Sequence, residues 1–173
     1  LIYQQNLHEN TTFSIDSYQP KVIDYALNCG FKIVNDITGL VNNEVAKVTS
    51  RYNAKLVIMH MQNNPDIMQD NPEYSNVTLE ISDFFDKQIN KAIDFGIKDI
   101  VLDVGIGFGK TLKHNLTLLN NLEHFKKFGF ELLIGASRKS MIDKIVSSSI
   151  EERLPGTLAI HLESIKNGAS IIR

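Results

Sequence analysis

Short apolar runs alternate with amphipathic segments along the chain. The runs predict six strands, at residues 12–16, 32–36, 56–60, 99–103, 131–135 and 169–173. Continuous Ile, Val and Leu residues are typical of strands that are buried on both faces, as in a parallel sheet. The alternation therefore predicts an α/β fold, in which right-handed βαβ crossovers join all the strands into one parallel sheet.

The amphipathic segments predict four helices, at residues 20–29, 78–95, 114–128 and 156–167. The first of them begins with a proline, which suits a first helical turn, and a glycine follows each of the first three as a stop signal. The second is expected to bury a stripe of Ile81, Phe85, Ile89, Ala92 and Ile93. The last carries Leu158, Leu162 and Ile165. With no linker between these elements, residues 1–173 are predicted to form a single domain.

Polar or backbone-permissive residues follow the apolar part of every predicted strand. They are Asp16, Asn35 with Asp36, His60, Asp103, Gly135 before Ser137, and Arg173. The carboxyl ends of parallel strands share one rim, which is the active-site face of an αβ barrel or the crevice of an open doubly wound sheet. The set favours a concave ligand site on that rim. For Asp36 and His60, the alternative of a satisfied polar group at a strand end stays equally open.

Composition narrows the function classes. The chain has 173 residues, 43% hydrophobic and 22% charged, which is typical of a soluble globular protein. A net charge of -2 gives no reason to expect a nucleic acid or an anionic membrane as the main partner. The single cysteine, Cys29, excludes an intrachain disulfide, and its helical setting predicts a small buried apolar residue.

A glycine-rich motif follows the fourth strand. Residues 103–111 read DVGIGFGKT, but Val104 stands where a phosphate-binding loop requires its first glycine. The glycines at 105, 107 and 109 also miss the dinucleotide-binding spacing. We therefore reject an NTPase and a nicotinamide enzyme. Alternating glycines instead let the main chain pass close to a flat ligand while Asp103 points at it. Lys110, at the end of the motif, is expected to cap a loop.

Six segments carry a specific family resemblance. They are SIDSYQP (14–20), NDITG (35–39), MHMQNNPDIMQ (59–69), LDVGIGFGK (102–110), GASRKSMI (135–142) and ERLPGTLA (152–159). In this order they are similar to the dihydropteroate synthases, which are pterin-binding enzymes. The resemblance implies a TIM (β/α)8 barrel, here an incomplete barrel of about six parallel strands, without the first two βα units and the C-terminal end. Val104, usually proline in the family, and the Asn63–Asn64 pair, often containing a glycine, depart from the pattern.

The resemblance also assigns a site. It implies pterin binding by Asp16, Asn35, Met59, Asp103, Gly135, Lys139 and Arg173, and p-aminobenzoate binding by Phe108 and Ser137. Asp16, Lys139 and Arg173 are the expected catalytic residues. Pterin chemistry agrees, because a carboxylate such as Asp103 can accept two adjacent ring donors at once. Magnesium is the implied cofactor, but the family's magnesium-binding asparagine would precede residue 1, so no metal ligand is expected in this chain.

The implied activity is a transferase reaction of folate biosynthesis. It joins (7,8-dihydropterin-6-yl)methyl diphosphate to p-aminobenzoate, giving dihydropteroate and diphosphate, in a cytoplasmic enzyme that sulfonamides target. The resemblance implies a homodimer that uses its late helices, with small-molecule substrates and no nucleic-acid or membrane partner. The 173-residue chain alone is expected to be inactive. Two alternatives stay open: a pterin-binding methyltransferase-type domain, which GASRKS disfavours, and a non-catalytic fragment.

Overall fold

A computed structural model describes residues 10–62 and 72–173. Its six strands, in sheet order, are β1 (Ser14–Asp16), β2 (Ile33–Asp36), β3 (Lys55–Met59), β4 (Ile100–Asp103), β5 (Glu131–Ile134) and β6 (Ile171–Ile172). The helices are α1 (Pro20–Asn28), α2 (Asn43–Arg51), α3 (Val77–Asp94), α4 (Leu112–Asn120), α5 (Ser140–Ile145) and α6 (Leu154–Lys166), with 3₁₀ helices at Leu122–Phe128 and Glu151–Arg153. Strands and helices alternate, so the predicted α/β fold with six parallel strands is confirmed.

All six predicted strands are present, with ends shifted by up to two residues. The predicted continuous helix at 114–128 is wrong, because α4 ends at Asn120 and a 3₁₀ helix follows. Asn121 lies at this break, and its side-chain amide donates to the carbonyl of Thr117 at 2.7 Å. Side chains of this kind compete with helical hydrogen bonds, which explains the break. Helices α2 and α5 were not predicted; Asn42 caps α2 by accepting from the amide of Glu44.

The described residues form two compact units. The first takes in the described part of Leu1–Met59 together with Asp86–Val101. In it β1, β2 and β3 pair in parallel, with Asp16 opposite Asn35 in the register of β1 and β2. The fully buried side chains of Val34, Leu56 and Ile58 fill the sheet part of its core. The sheet register therefore places two predicted site residues side by side at the ends of their strands.

The second unit takes in the described part of His60–Phe85 together with Leu102–Arg173. Phe85 of α3 is fully buried here, and its ring centroid lies 5.7 Å from that of Phe125 and 6.0 Å from that of Phe128. Strands β5 and β6 pair in parallel. This aromatic cluster anchors the 3₁₀ helix beside the first half of α3, and so fixes the segment that leads into β5.

Two expectations about burial fail, those for Ile93 and Cys29. Ile93 is 53% exposed, because it lies about 120° around the helix from Ile81, whereas Phe85, Ile89 and Ala92 stay on the buried side of α3. Cys29 is exposed, since α1 ends at Asn28 and the cysteine lies beyond the buried face. The apolar side chains of α6 face outward: Leu158, Leu162 and Ile165 are 60%, 57% and 54% exposed.

Within the described residues, no helix is long and apolar enough to cross a membrane. The single-domain assignment for residues 1–173 stays a prediction.

Candidate functional site

The predicted site residues lie in both units. In the first unit, Asp16 ends β1 and is exposed, whereas Asn35, directly opposite it on β2, is only 3% exposed. Met59 ends β3 and is fully buried. The three predicted pterin contacts of this unit therefore all stand at the carboxyl ends of strands.

Asn35 has a buried side-chain amide with no hydrogen-bond partner for either Oδ1 or Nδ2 among the described residues. A buried polar group without a partner costs about 1–3 kcal/mol, so such groups are rare in folded proteins. Asn35 carries one donor group and one acceptor side by side. The amide is therefore available to a ligand that presents a mixed donor and acceptor edge.

Asp36, the next residue, has its carboxylate committed to the local turn. Oδ1 accepts from the main-chain amide of Thr38 at 2.8 Å and from its hydroxyl at 2.7 Å, and Oδ2 accepts from the amide of Leu40 at 3.0 Å. Leu40 has a φ of 65°, a left-handed conformation that these bonds help to hold. Asp36 shapes the turn after β2, which favours the structural alternative for this residue.

Asp103, at the end of β4, is the buried carboxylate of the second unit. It is 1% exposed, and its Oδ1 accepts from the main-chain amide of Gly105 at 2.8 Å. Burial raises the pKa of Asp103, while the Gly105 amide and the charges of Arg173, Lys139 and Lys110 pull it down. One carboxylate thus lies among three basic side chains, which gives this part of the unit an excess of positive charge.

Arg173 lies against Gly135 and reaches Asp103. Its main-chain amide donates to the carbonyl of Ile134 at 3.0 Å, which fixes the end of β6 beside β5. A Cβ on Gly135 would lie 3.3 Å from Nη2 and 3.4 Å from Nε of Arg173. Gly135 therefore leaves the space that the guanidinium occupies, so the structure brings together three predicted pterin-binding residues.

Lys139 follows the Ser137–Arg138 turn and points into the glycine motif. Its ammonium donates to the carbonyl of Ile106 and lies 4.3 Å from the centroid of the Phe108 ring. Burial lowers the pKa of Lys139 to about 8, with Asp103 opposing and Arg173 adding to the decrease. The predicted pterin contact Lys139 and the predicted p-aminobenzoate contact Phe108 are therefore neighbours, joined by a cation–π contact.

Ser137 is exposed. The turn that carries it is held by hydrogen bonds with α6 and with the 3₁₀ helix before it. Arg138 has a φ of 50°; its amide donates to Oγ1 of Thr157 at 2.9 Å, and its carbonyl accepts from Arg153 at 3.2 Å. Thr157 and Arg153 were missed as supports of this turn. Both lie in the ERLPGTLA segment of the family resemblance, but their role depends on how α6 and the 3₁₀ helix before it pack on the turn.

The main chain of the glycine motif packs closely on the residue after β3. Gly105 has a φ of 70°, and a Cβ there would lie 1.9 Å from the carbonyl oxygen of His60. His60 is buried, and its Nδ1 lies 3.0 Å from the ammonium of Lys110. Burial, aided by the Lys110 charge, lowers the pKa of His60 to about 2, so its ring is neutral. His60 serves here as an anchor for Lys110.

Two further side chains contact the motif and were not singled out from sequence. Asn115 of α4 accepts from the amide of Gly107 at 2.8 Å, and the hydroxyl of Tyr74 donates to the carbonyl of Gly109 at 2.9 Å. The predicted loop-capping role of Lys110 agrees with its hydrogen bond to the carbonyl of Phe108 at 2.9 Å. No group of three or more His, Cys, Asp or Glu residues that could hold a metal ion occurs at 10–62 or 72–173.

Comparison with known proteins identifies the family. A profile described as pterin binding enzyme matches residues 3–173. The bifunctional dihydropteroate synthase/dihydropteroate reductase of Helicobacter pylori is 40% identical over 172 residues, which are 99% of this chain and 45% of that protein. The dihydropteroate synthase of Clostridium beijerinckii is 42% identical over 159 residues, or 90% of this chain and 56% of that protein. The chain thus spans about half the length of these relatives.

Solved structures agree in fold. Crystal structures of Thermus thermophilus dihydropteroate synthase in complex with 6HMPPP and in complex with 4-aminobenzoate match with TM-scores of 0.92 and 0.93. Both are 33% identical and cover 96% of this chain, which in turn covers 67% and 66% of theirs. The chain therefore belongs to the pterin-binding enzyme family, as a homologue of the dihydropteroate synthases.

Proposed function

We propose that the protein acts as a dihydropteroate synthase. It joins (7,8-dihydropterin-6-yl)methyl diphosphate to p-aminobenzoate and releases dihydropteroate and diphosphate. Relatives of this name, at about 40% identity, support the assignment, and so does the Thermus thermophilus enzyme crystallised with 4-aminobenzoate. The chain covers only part of those proteins, so the activity is proposed for the protein to which these residues contribute.

The observation that carries the proposal is the buried carboxylate of Asp103. It is 1% exposed; its Oδ1 accepts from the amide of Gly105, and its Oδ2 accepts from Nη2 of Arg173 at 3.3 Å. A carboxylate can accept about four hydrogen bonds, so acceptor positions remain for a ligand. The pterin ring presents a ring N–H beside an exocyclic NH2, and an ionised carboxylate binds such a pair through two charge-assisted bonds. Asp103 is therefore proposed to bind this edge of the pterin.

On family grounds, three residues of the first unit are also proposed as pterin contacts. The unpaired amide of Asn35 would donate to and accept from the mixed edge of the ring. Asp16 would accept a further ring N–H, and Met59 would supply an apolar wall. Support comes from the family membership, which the motifs of both units share, and from the lack of any protein partner for the Asn35 amide among the described residues.

The basic residues of the second unit suit the departing diphosphate. In the proposed reaction, the amine nitrogen of p-aminobenzoate bonds to the pterin methylene carbon, and the carbon–oxygen bond to diphosphate breaks. Diphosphate leaves with the electron pair, and the amine releases a proton to solvent. Arg173 and Lys139, which lie near the Asp103 carboxylate, would stabilise the negative charge that develops on the leaving group. Gly135 gives Arg173 its space, and Phe108 and Ser137 are proposed to contact p-aminobenzoate.

Magnesium and cellular location follow from the family and are part of the proposal. Magnesium would neutralise charge on the diphosphate. The described residues hold no cluster of His, Cys, Asp and Glu that fits a metal site, so no step is derived through the metal. A cytoplasmic location is proposed on the same family grounds.

A homodimer is also proposed, and the exposed face of α6 supports it. Leu154, Leu158, Leu162 and Ile165 are each about half exposed, whereas the buried positions of α6 are Thr157 and Ser164. Next to this face, a cavity of about 540 Å³ has mainly apolar walls, among them Ile142, Ile145, Val146, Pro155, Ala159 and Ile160. Adjoining apolar surface of this kind marks interaction sites in soluble proteins.

The decisive experiment measures diphosphate release from (7,8-dihydropterin-6-yl)methyl diphosphate with and without p-aminobenzoate. We expect release that depends on p-aminobenzoate, with one dihydropteroate formed for each diphosphate. Calorimetry with 6-hydroxymethylpterin, which cannot react, supplies a binding readout that does not need turnover. A protein that binds neither the pterin nor the diphosphate ester would refute the proposed function.

A further inference from the structure

The loop of residues 104–110, called the glycine loop below, is bonded to side chains along its length. Beginning at its N-terminal end, the partners are Asp103 Oδ1 for the amide of Gly105, Lys139 Nζ for the carbonyl of Ile106, Asn115 Oδ1 for the amide of Gly107, Lys110 Nζ for the carbonyl of Phe108, and Tyr74 Oη for the carbonyl of Gly109. A glycine-rich segment is intrinsically flexible, so side chains must supply its order. Five successive residues are thus held by five different side chains.

Two of these side chains, Asp103 and Lys139, already have proposed roles with the ligand. The other three, Lys110, Asn115 and Tyr74, have none. Lys110 and Asn115 are each 3% exposed, so neither serves as a solvated surface group. Lys110 and Tyr74 each donate to one loop carbonyl, whereas Asn115 accepts from the amide of Gly107 and donates to the carbonyl of Lys110 at 3.5 Å. The burial of Lys110 and Asn115 is therefore best explained by the main-chain groups of the loop that they hold.

Lys110 makes the most complete set of contacts. Its ammonium has three N–H groups, and three acceptors surround it: the Phe108 carbonyl at 2.9 Å, Nδ1 of His60 at 3.0 Å and the His60 carbonyl at 3.3 Å. All three acceptors are uncharged. Burying a cation without a contacting anion lowers the stability of the folded protein. The position of Lys110 is therefore best explained by the hydrogen bonds that its ammonium makes.

These contacts close a ring of hydrogen bonds that starts and ends at Asp103. The carbonyl of Asp103 accepts from the amide of His60 at 2.9 Å, and His60 holds Lys110. Lys110 holds the Phe108 carbonyl, the Phe108 amide donates to the carbonyl of Gly105 at 3.0 Å, and the Gly105 amide returns to Asp103 Oδ1. Displacing any member of the ring would move the carboxylate of Asp103 or the ring of Phe108.

We propose that Lys110, Asn115 and Tyr74 are positioning residues, which fix the glycine loop so that Asp103 and Phe108 are held ready for the pterin and p-aminobenzoate. This inference rests on the proposed function. The three side chains act through the main chain of the loop and do not touch the ligand. Lys110 orders the middle of the loop, Asn115 holds Gly107, and Tyr74 holds Gly109.

The ionisation of Lys110 fits this role. Burial lowers the pKa of Lys110 to about 7, with Asp103 opposing and Lys139 adding to the decrease. His60 after β3 and His114 on α4 also face it: the Lys110 charge lowers the pKa of both. Loss of the proton removes one of three donors, so the loop should lose one anchor as the pH rises through neutrality.

The test compares two loop variants with a matched control in the full protein. Lys110→Met removes all three donors, and Tyr74→Phe removes one hydroxyl with little risk to folding. Lys91→Met is the control, because Lys91 donates to the carbonyls of Leu40 at 2.7 Å and Val41 at 3.1 Å on a different loop. Affinity for 6-hydroxymethylpterin is measured by calorimetry, beside the thermal unfolding midpoint. We expect about tenfold weaker binding for Lys110→Met, roughly threefold for Tyr74→Phe and no change for Lys91→Met.

Selective ¹⁵N labelling of glycine gives a signature that general destabilisation would not produce. In Lys110→Met the amide signals of Gly105, Gly107 and Gly109 should shift or broaden, while the remaining glycine signals stay in place. In the wild type the same three signals should move with a midpoint near the pKa of about 7 for Lys110, and Lys110→Met should abolish that movement.

The outcomes separate the inference from the proposed function. If the wild type fails to bind the pterin, the proposed function falls and the inference falls with it. If the wild type binds but Tyr74→Phe and any folded Lys110→Met protein keep its affinity, only the positioning role is overturned. Unchanged signals from Gly105, Gly107 and Gly109 in both variants would overturn it too. If Lys110→Met does not fold, Tyr74→Phe decides.

Discussion

Arg173 Nη2 lies 3.3 Å from Oδ2 of Asp103, although the arginine side chain is 42% exposed and the aspartate side chain only 2%. The guanidinium therefore closes off a buried carboxylate from the solvent side. Because the carboxylate is buried, removing the arginine would leave the charge of Asp103 with one partner fewer, so a ligand that displaces the guanidinium must supply donors of its own. The pterin edge, with its two adjacent donors, meets this requirement.

Asp103→Asn should weaken pterin binding by roughly tenfold to a few hundredfold, because a charge-assisted hydrogen bond of about 1.5–3 kcal/mol is lost. The new NH2 group would also face a ring donor and leave it unpaired. Calorimetry with 6-hydroxymethylpterin measures the effect. Asp99→Asn is the matched control, since Asp99 is 59% exposed and pairs with Lys55 at the surface.

Ser137→Ala provides a contrast on the other substrate. Ser137 is exposed on the turn before Lys139, and its loss should act mainly on p-aminobenzoate or a sulfonamide. Pterin affinity should stay within about twofold of the wild type, because no pterin contact is removed.

If Asp103→Asn binds the pterin as tightly as the wild type does, the assignment of the Asp103 carboxylate to the pterin is wrong.

The strand ends could be predicted from the sequence, whereas the supports of the loops could not. Apolar runs that stop at Asp103 and Arg173 are a local signal, because a polar side chain after an apolar run indicates the end of a strand. The contact of Tyr74 with Gly109 spans 35 residues and depends on how the chain folds back. No periodic pattern encodes such a contact.

The outward face of α6 shows a second limit of the sequence. The spacing of Leu158, Leu162 and Ile165 identifies an apolar side of the helix, but it does not show whether that side packs on the chain's own core or on another molecule. Thr157 and Ser164 are buried instead, and their hydroxyls donate to the carbonyls of Arg153 at 2.9 Å and Ile160 at 2.7 Å. Small side chains whose hydroxyls are satisfied by the preceding turn let α6 pack closely through this side, which leaves its apolar side outward.

Gly105→Ala should abolish pterin binding and destabilise the protein. The added Cβ would lie 1.9 Å from the His60 carbonyl oxygen, a backbone atom that cannot move without shifting β3. Gly129→Ala is a close control, because its φ of 74° matches the 70° of Gly105 but nothing lies within 4 Å of the new Cβ. The control should cost only the conformational strain, about 1 kcal/mol.

Thermal unfolding and pterin calorimetry on the two alanine variants separate strain from collision. We expect Gly129→Ala to bind pterin like the wild type with a slightly lower unfolding midpoint. Equal midpoints and equal affinities for both variants would contradict the close packing of Gly105 on His60.

The charge of Lys139 should make diphosphate binding depend on pH. Burial lowers its pKa to about 8, so the folded protein loses this positive charge as the pH rises through 8. Affinity for inorganic diphosphate should then fall above pH 8. Lys139→Arg keeps its charge, because arginine stays protonated, and should remove this fall.

The same shift has the opposite effect on stability. The unfolded chain holds the Lys139 proton up to its ordinary pKa of 10.5, whereas the folded chain releases it at about 8. The unfolded state binds more protons between these values, so this residue makes the protein more stable as the pH rises from 8 to 10.5. Urea unfolding at several pH values measures the free energy of unfolding of the wild type and of Lys139→Met. The wild-type value minus the Lys139→Met value should rise between pH 8 and 10.5, and a fall would contradict the assignment.

Leu158→Asp should separate the proposed homodimer without unfolding the monomer. Leu158 is 60% exposed, so an aspartate there removes little buried surface from one chain but places a charge in any apolar contact made by α6. Leu79→Asp is the control, because Leu79 is 52% exposed on α3, outside the α6 face. Sedimentation equilibrium should show a dimer for the wild type and the control, and a monomer for Leu158→Asp. Its unfolding midpoint, measured at a concentration where the wild type is also monomeric, should match that of the wild type. A dimer that survives Leu158→Asp unchanged would exclude this face as the contact, because a stable interface buries about 800 Å² on each partner and could not bypass a charge at its centre.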